Sequence, residues 1–382
     1  MIAIAFPSPP PTTAELETLR QEVRAFLAAE LAHLPPRERV RSWMGFDASF
    51  SRKLGQRGWI GMTWPKRYGG HERSALERYV VLEELLAAGA PVSAHWIADR
   101  QSGPLLLKYG TEEQRCEILP RITAGECFFC IGMSEPDAGS DLASVRTRAT
   151  PVEGGYVVNG TKVWTTNAHL CHYMVLFCRT GVQEDRHAGF SQFLVDMKTP
   201  GITVRPIADL SGEHHFNEVV FQDVFLPRSA LLGKEGDGWK QLMEELAFER
   251  SGPERFLSSF VAMVEAVRAL RDAPSDAAQA AIGRMTAQLV VLRRLSRSVA
   301  GMLQRQEKPD LQASLVKDLG GVFEQEVADI IRSLVAVEPS LGAKDELSAT
   351  LARLVMLAPS FSLRGGAREI LRGIIARGLG LR

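Results

Sequence analysis

The sequence lacks an excess of charge of either sign, since its 382 residues include 45 lysines and arginines and 45 aspartates and glutamates. Proteins that bind nucleic acids use a positive field to hold the phosphate backbone, so this balance argues against a nucleic-acid partner. The chain is also too long for one ordinary hydrophobic core. We therefore expect two or three domains that can bury a sizeable ligand site.

The amino terminus lacks the features of a signal peptide or a membrane anchor. It begins apolar, but no basic stretch precedes the apolar residues, and four prolines fall within the first eleven residues. A signal peptide needs a basic start, and a membrane span needs a long uninterrupted apolar run. We therefore predict a cytoplasmic protein with no membrane span.

Cysteine is scarce, and five is an odd number, which argues against a disulfide framework and for a reducing compartment. The five are Cys116, Cys127, Cys130, Cys171 and Cys178. Cys127 and Cys130 have the spacing of half a zinc site, which Cys171, His172 or Cys178 could complete, but a second closely spaced pair is missing. Free thiols in a buried strand are the favoured interpretation, and we predict no metal.

Hydrophobic periodicity divides the chain into three parts. Apolar residues recur at three- and four-residue steps through the first hundred-odd residues, which indicates amphipathic helices. Between about residues 127 and 233 the pattern alternates, as in antiparallel strands, and helical stripes return after Trp239. The predicted fold class is α+β, with an N-terminal helical domain (residues 1–124), a middle antiparallel β domain (125–234) and a C-terminal helical bundle (235–382).

The stretch from Phe128 to Ala168 contains the clearest local signals. A loop with Pro and Gly runs from Glu135 to Ser140. Asn159-Gly160 predicts a tight hairpin turn, because both central residues of such a turn need positive φ. In the strand that follows, Trp164 and Thr166 are two residues apart and share a face. A flat aromatic surface beside a hydroxyl donor would suit a planar conjugated ligand.

Two linked motifs in this stretch, MSEPDAGSD and NGTKVWTTNA, resemble the flavin-binding signature of the acyl-CoA dehydrogenases. The turn WPKRYGG, the helix start YGTEEQ and the segment from Asn217 to Pro227 also resemble family motifs. The resemblance covers nearly the whole chain and is strongest over residues 104–253 and 365–377. It implies the acyl-CoA dehydrogenase fold, in which the middle domain is β-barrel-like and the C-terminal domain is similar to a four-helix bundle.

The resemblance also implies a flavoprotein that holds FAD, oxidises an acyl-CoA and passes electrons to an electron-transfer flavoprotein or a similar acceptor. The family's contacts to the flavin ring carry over to Ile131, Met133 and Ser134. Contacts beside the phosphates and the pantetheine carry over to Gly139 and Ser140, so Ser140 would also touch the substrate.

Two strand residues complete the implied flavin site. Trp164 matches the family tryptophan that stacks on the flavin, and Thr166 matches the residue that donates to the reactive flavin nitrogen. The alternative is that Trp164 is only a core aromatic residue. No Rossmann fingerprint is present in the sequence, and the family needs none.

Removal of the acidic α proton of a thioester requires a carboxylate, which stands at either of two positions in the family. The commoner position matches Gly365, so no carboxylate is available there. The resemblance leaves Gly365 the role of donating its backbone N–H, at the opening of a helix, to the thioester oxygen. The other position matches Glu249 in the sequence AFERSGP.

Glu249 has support from the residue pattern itself. Leu242, Leu246 and Glu249 follow helical spacing, which puts the carboxylate within an apolar stripe. Burial would raise its pKa toward neutrality, as suits a base, although a core ion pair with a neighbouring arginine is the alternative. Arg250 resembles the family arginine near the CoA moiety, with a solvated or interfacial cation as the alternative. Pro253 is expected to loosen the helix, because it has no N–H.

Two family motifs are missing from the third domain. An Arg-x-x-Phe-Gly motif is expected at residues 279–285 and a Gln-x-x-Gly-Gly motif at residues 335–343. In the family these motifs hold the adenine and pyrophosphate of FAD in the neighbouring subunit of a dimer of dimers. Their absence favours a mixed oligomer with a paralogous subunit over a homo-oligomer.

Two other functions remain open. One is a flavin oxidase or monooxygenase on the same fold, and the other is a companion subunit that does no chemistry. Substrate identity leaves no motif, because one methylene of pocket is worth only about 1 to 3 kcal/mol. A base at the less common position favours branched, cyclic or long acyl chains.

Overall fold

The computed structural model describes residues 4–181, 185–249, 252–272 and 274–381, without the side chains of residues 245–249. Within these ranges the chain forms helices towards both ends and strands in the middle, which confirms the predicted α+β fold class. No helix in the described ranges combines the length and the apolar character that crossing a bilayer requires.

The helices of the described residues are numbered in chain order. They are α1 (Ala14–Glu30), α2 (Pro36–Arg39), α3 (Ala48–Gln56), α4 (Ala75–Ala87), α5 (Ser93–Ile97), α6 (Gly103–Tyr109), α7 (Glu112–Thr123), α8 (Gly238–Glu249), α9 (Phe260–Leu270), α10 (Asp276–Gln304), α11 (Asp310–Leu334), α12 (Glu346–Leu357) and α13 (Arg368–Gly378). A short 3₁₀ turn at Pro253–Arg255 lies between α8 and α9. The residues between Glu249 and Gly252 lie outside the described ranges, so the loosening of the helix near Pro253 stays a prediction.

The strands are β1 (Phe129–Gly132), β2 (Arg148–Val152), β3 (Gly155–Thr166), β4 (Tyr173–Arg179), β5 (Phe190–Asp196), β6 (Ile202–Ala208), β7 (His214–Pro227) and β8 (Leu231–Leu232). They form one sheet in the order β6-β7-β3-β2-β4-β5-β8, and β1 pairs with β4. Pairing is antiparallel except between β1 and β4 and at one residue pair between β2 and β4. The buried face of the sheet carries apolar residues such as Val158, Leu176, Phe193 and Phe221.

The hairpin predicted at Asn159-Gly160 is wrong. Strand β3 runs straight through these residues, and its register with β7 shifts between Val158 and Gly160, which marks a β-bulge. The hairpin turn instead lies between β2 and β3, where Val152 pairs with Gly155 and Gly154 has φ +80°. Gly154 meets the conformational demand of a tight turn, because glycine adopts positive φ without strain.

The chain divides into two compact units that are discontinuous in sequence. The first comprises Met1–Phe46, Arg73–Val92 and Glu249–Arg382, and the second comprises Asp47–Glu72 and Ser93–Phe248. The predicted division into domains at residues 124 and 234 is a different, linear partition, and it stays a prediction.

The first unit is built from packed helices. The apolar stripe of α1 is buried, as predicted, at Leu16, Leu19, Val23, Phe26 and Leu27. Helix α4 begins with a capping box, in which the Ser74 side chain accepts from the Glu77 N–H and the Glu77 carboxylate accepts from the Ser74 N–H. Gly320 of α11 lets the 3₁₀ turn approach closely, because a Cβ there would lie 2.1 Å from the Arg255 carbonyl oxygen.

Candidate functional site

The loop after β1 is anchored to β3 by a buried ion pair. Lys162 Nζ donates to Glu135 Oε1 over 2.8 Å and to the Met133 carbonyl oxygen over 2.9 Å. Glu135 also accepts from the backbone N–H groups of Arg146 (2.6 Å) and Thr147 (2.9 Å). Burial opposes ionisation of Glu135, but the charge of Lys162 and these hydrogen bonds outweigh it, so the pKa of Glu135 lies below its usual value. The buried ion pair between Lys162 and Glu135 therefore holds the loop in place.

This anchor brings three of the predicted flavin contacts close to β3. Ile131 lies on β1 and is partly buried, and Met133 and Ser134 follow directly. The Val163 N–H donates to the Ser134 carbonyl oxygen over 2.9 Å, which joins the loop to the strand that carries Trp164. The main chain at Met133 and Ser134 is thus held in place on both sides.

Gly139 and Ser140 lie at the surface, just beyond a turn. Glu135 and Ala138 exchange backbone hydrogen bonds of 2.8 and 3.1 Å, and the two residues after this turn are exposed. A Cβ added at Gly139 would meet nothing within 4 Å. The main chain here is open to a ligand as large as a phosphate group.

Trp164 presents a flat aromatic surface to solvent. Its side chain is 61% exposed, and its ring contacts Phe216 edge-on, with centroids 5.8 Å apart. The residue has φ +58°, at an irregularity in the pairing of β3 with β7 between Lys162 and Thr165. Positive φ is costly for a residue with a side chain, so the surrounding contacts must hold it. Thr165 is buried and Thr166 is partly buried, and the shared face of Trp164 and Thr166 stays a prediction.

Asn217 on β7 supports this irregular stretch. Its Nδ2 donates to the Thr165 carbonyl oxygen over 2.9 Å. Its Oδ1 lies 3.2 Å from His169 Nδ1 and 2.7 Å from His214 Nε2, so it accepts from both rings. The two imidazoles stack with centroids 3.9 Å apart, and burial and the adjacent His214 lower the pKa of His169. Sequence reasoning assigned no role to these residues, although Asn217 opens a family motif, because only the pairing of β3 with β7 brings them together.

Gly365 lies against a buried arginine in the first compact unit. It has φ +70°, and a Cβ built on it would lie 2.8 Å from Arg255 Nη2. Helix α13 starts only at Arg368, so Gly365 does not open a helix, contrary to the expectation for its N–H. Its role as a backbone donor stays a prediction.

Buried charges surround Gly365. Arg255 and Glu254 are 3% and 1% exposed, and Arg255 Nε lies 3.6 Å from Glu254 Oε1. Nearby, Arg364 Nη2 donates to Glu324 Oε2 over 2.9 Å, and burial lowers the pKa of Arg364 to about 10. Sequence reasoning also missed the pair Glu254-Arg255. The available signal was a second Glu-Arg doublet five residues after the first.

Glu249 is the last residue of α8, and its side chain lies outside the described atoms. Arg250 lies outside the described residues. The helix register is informative all the same. Gln241 and Leu242, eight and seven residues before Glu249, are 0% and 1% exposed, so α8 is buried at these two residues, about two turns before Glu249.

The part of the chain that is described contains no candidate metal site. No group of three His, Cys, Asp or Glu residues there is arranged to hold a metal ion. Cys127, Cys130 and Cys178 are buried, and burial raises the pKa of Cys127 to about 12. A protonated thiol is a poor metal ligand.

The chain matches three family descriptions, "Acyl-CoA dehydrogenase, N-terminal domain" over residues 13–126, "middle domain" over residues 130–224 and "C-terminal domain" over residues 236–380. Acyl-CoA dehydrogenase IpdE1 of Mycobacterium tuberculosis is 31% identical over 393 residues, covering 96% of this chain and 98% of that protein. Acyl-CoA dehydrogenase FadE34 of the same organism is 34% identical over 323 residues, but these span 83% of this chain and only 43% of FadE34.

A solved structure, "Tcur3481-Tcur3483 steroid ACAD", superposes with a TM-score of 0.87 at 30% identity, covering 97% of this chain and 98% of that chain. The three family matches together span most of the sequence, and IpdE1 matches it nearly from end to end. The chain belongs to the acyl-CoA dehydrogenase family.

Proposed function

We propose that this chain catalyses the FAD-dependent α,β-dehydrogenation of an acyl-CoA thioester to the 2-enoyl-CoA, with Glu249 as the base. The Glu249 carboxylate takes the α proton, which the adjacent thioester makes acidic. FAD, when bound, accepts the β hydrogen together with its electron pair, so that a carbon–carbon double bond is formed. The Gly365 N–H donates to the thioester oxygen and stabilises the negative charge that develops there.

One observation carries the choice of Glu249, namely that the commoner position holds a glycine, in a backbone conformation that disfavours a side chain. Gly365 is left-handed, and the Arg255 guanidinium occupies the space that a Cβ would need. The motif then leaves Glu249 as the source of the carboxylate, in helix α8, whose Gln241 and Leu242 are buried.

The proposed FAD contacts are those that the motif predicts. Trp164 offers an exposed aromatic face for stacking, and Thr166, two residues further along β3, would be the hydroxyl donor. The main chain at Met133 and Ser134 is anchored, and Ile131 precedes it on β1. Gly139 and Ser140 would supply exposed main chain for the phosphates, since a Cβ at Gly139 would meet nothing within 4 Å. These residues fit a flat ring with a phosphate tail.

Substrate contacts are proposed at Ser140 and Arg250. Ser140 is exposed beside Gly139, where its hydroxyl can reach a polar chain such as pantetheine. Arg250 follows the base in sequence and would pair with a phosphate of CoA. The relative "Tcur3481-Tcur3483 steroid ACAD" is named for a steroid, which supports a bulky, polycyclic acyl group among the substrate classes considered.

We further propose a mixed oligomer, with the domain division 1–124, 125–234 and 235–382. The missing motifs at residues 279–285 and 335–343 would leave a homo-oligomer without the family's contacts to the adenine and pyrophosphate. The steroid relative joins two protein designations in its name, which supports a partner of the same family. Electrons would pass to an electron-transfer flavoprotein or a similar acceptor.

The test uses the chain co-expressed with the family paralogue encoded nearest to it. Flavin reduction is followed by absorbance in anaerobic stopped-flow mixing with a panel of straight, branched and polycyclic acyl-CoA esters. Glu249→Gln is expected to slow flavin reduction by about 10² to 10⁴-fold, the usual contribution of a general base. The matched control is Glu369→Gln, an exposed glutamate of α13 that is expected to leave the rate unchanged.

Glu254→Gln separates the two Glu-Arg doublets. Glu254 is buried beside Arg255, so its replacement is expected to lower stability but to slow flavin reduction far less than Glu249→Gln does. If Glu254→Gln slowed flavin reduction more than Glu249→Gln did, the base would be Glu254. Full activity of Glu249→Gln in the assembled complex would leave this chain as a companion subunit, and rapid reoxidation of the reduced wild type by air would identify an oxidase.

A further inference from the structure

A cleft of about 840 Å³ opens in the first compact unit, between α1, α4, α9 and α10. This volume lies in the range of small-molecule sites, about 300 to 1,000 Å³. Its apolar wall is formed by large side chains, among them Leu27, Leu31, Phe256, Phe260 and Leu289. An apolar body such as a fatty chain or a fused ring system would bury against this wall.

The charged lining of the cleft is unbalanced. Five arginines and two glutamates line it, and no lysine, aspartate or histidine does so among the described residues, which leaves an excess of three positive charges. The two carboxylates, Glu83 and Glu84, are already engaged. Arg293 Nε donates to Glu83 Oε1 over 2.6 Å, and Arg24 Nε donates to Glu84 Oε2 over 2.7 Å. Arg20 bridges both carboxylates from within, with 2.9 Å to Glu83.

The Arg39 guanidinium is hydrogen-bonded to a backbone carbonyl group. Its Nε donates to the Ala88 carbonyl oxygen over 2.7 Å, and burial lowers its pKa. Arg268 on α9 shares the cleft and is held by Glu265 at 2.5 Å. A half-buried guanidinium gains more from an anion than from a carbonyl group, because only the anion carries a charge that offsets its own.

We propose that this cleft binds an apolar molecule that carries a carboxylate, with the apolar body against Phe256, Phe260 and Leu289 and the carboxylate at the Arg39 guanidinium. The planar fork of a guanidinium matches the two oxygens of a carboxylate. A free fatty or polycyclic acid has this chemistry, and so does the far end of an acyl-CoA whose chain ends in a second carboxylate. The wall residues Phe256 and Phe260 follow the turn Pro253–Arg255, and Arg255 packs on Gly365. The cleft therefore lies in the same compact unit as Glu249 and Gly365.

The site is tested by isothermal titration calorimetry on the purified holo-complex. Dodecanoate and cholate are the probes, and dodecanol and dodecylamine are the matched compounds without a carboxylate. Dodecanoate is expected to bind at least about tenfold more tightly than either matched compound, the effect of one charge-assisted pair. Arg39→Gln should weaken dodecanoate about tenfold, and Leu289→Trp, at a partly exposed position of α10, should abolish binding by filling the cleft. Arg332→Gln, an exposed arginine of α11 outside the cleft, is the control and should change nothing.

Competition then identifies the source of the carboxylate. Displacement of dodecanoate by a dicarboxylic acyl-CoA but not by octanoyl-CoA assigns the site to the end of a substrate, and displacement by neither assigns it to a free acid. Equal displacement by octanoyl-CoA would overturn the proposal, because the probe would then occupy only the acyl site. Equal affinity for dodecanol, or unchanged binding by a Leu289→Trp protein that melts within about 2 °C of wild type, would overturn it as well.

Discussion

The guanidinium of Arg255 lies against the Cα of Gly365, so closely that a Cβ at position 365 would stand 2.8 Å from Nη2 and 3.0 Å from Nη1. Both groups are in the first compact unit, and Arg255 is 3% exposed. In much of the family a glutamate occupies the position of Gly365. In this chain the same space is taken by a cation from the segment that follows α8.

Gly365→Ala is expected to destabilise the protein by about 2 to 4 kcal/mol, from about 1 kcal/mol for a left-handed alanine and about 1 to 3 kcal/mol for overpacking against Arg255. Gly366→Ala is the matched control. Gly366 also has positive φ, at +99°, but a Cβ there would meet nothing within 4 Å, so only the first cost applies. Urea unfolding measures the free energy of unfolding of both variants. Equal losses would mean that the Arg255 side chain moves aside at no cost in stability.

Sequence patterns predicted the elements whose cause is local. The stripe of α1 repeats at helical spacing over the whole helix, and it is buried as predicted. Asn159-Gly160 misled because the same chemistry that makes a turn also makes a bulge. Asn159 exchanges hydrogen bonds with Asp223 across the sheet, and a Cβ on Gly160 would lie 2.4 Å from the Thr147 hydroxyl. These partners lie far off in sequence, so no local pattern could reveal them.

The candidate site likewise contains residues that local motifs predicted and residues that only the fold brings together. Motif residues such as Met133 and Trp164 are found in contiguous runs, and the bond from the Val163 N–H to the Ser134 carbonyl oxygen joins the two runs. The stack of His169 on His214 and the packing of Arg255 on Gly365 each join segments that are distant in the chain. Neither His nor Arg at those positions has a spacing that distinguishes it from a surface residue, so only the fold identifies them.

The Glu135–Lys162 pair leads to a second prediction. Lys162→Met leaves a buried carboxylate without its cation, which typically costs about 3 to 5 kcal/mol. The loop from Met133 to Ser140 should then loosen and flavin should be lost on gel filtration, as read by the ratio of flavin to protein absorbance. The double variant Glu135→Gln, Lys162→Met should recover part of the stability, because no charge remains buried.

An exposed pair provides the control for that experiment. Arg186 and Asp141 form a salt bridge with side chains that are 62% and 53% exposed. Exposed pairs contribute about 0 to 1 kcal/mol, so Arg186→Gln should leave both stability and flavin content nearly unchanged. A loss equal to that of Lys162→Met would show that loop charge in general, rather than the buried pair, anchors the loop.

Flavin retention should also depend on pH through Glu135. Its pKa in the fold is below the usual value of about 4.3, so the pair stabilises the loop above that pH and the stabilisation is lost as pH falls through the folded pKa. Burial lowers the pKa of Lys162, but a lysine gains its charge rather than loses it as pH falls, so the loss of the pair in acid comes from Glu135. Flavin release followed by fluorescence between pH 6 and 3 is expected to rise below about pH 4 in the wild type. The Glu135→Gln, Lys162→Met variant should lack this rise, and an identical profile would assign acid release to other carboxylates.

Asn217 tests whether the irregular stretch at Trp164 is held by β7. Asn217→Ala removes the donor to the buried Thr165 carbonyl oxygen and the shared acceptor of His169 and His214. An unsatisfied buried group costs about 1 to 3 kcal/mol, and Trp164 should lose its strained conformation, since positive φ persists only when its surroundings enforce it. We expect a shifted visible flavin spectrum and altered tryptophan fluorescence together with the lower stability. Asn159→Ala, whose bonds to Asp223 are exposed, is the control and should cost less than about 1 kcal/mol with an unchanged spectrum. If Asn217→Ala lowers stability but leaves the spectrum as it was, Asn217 supports the sheet alone and Trp164 is held by other contacts.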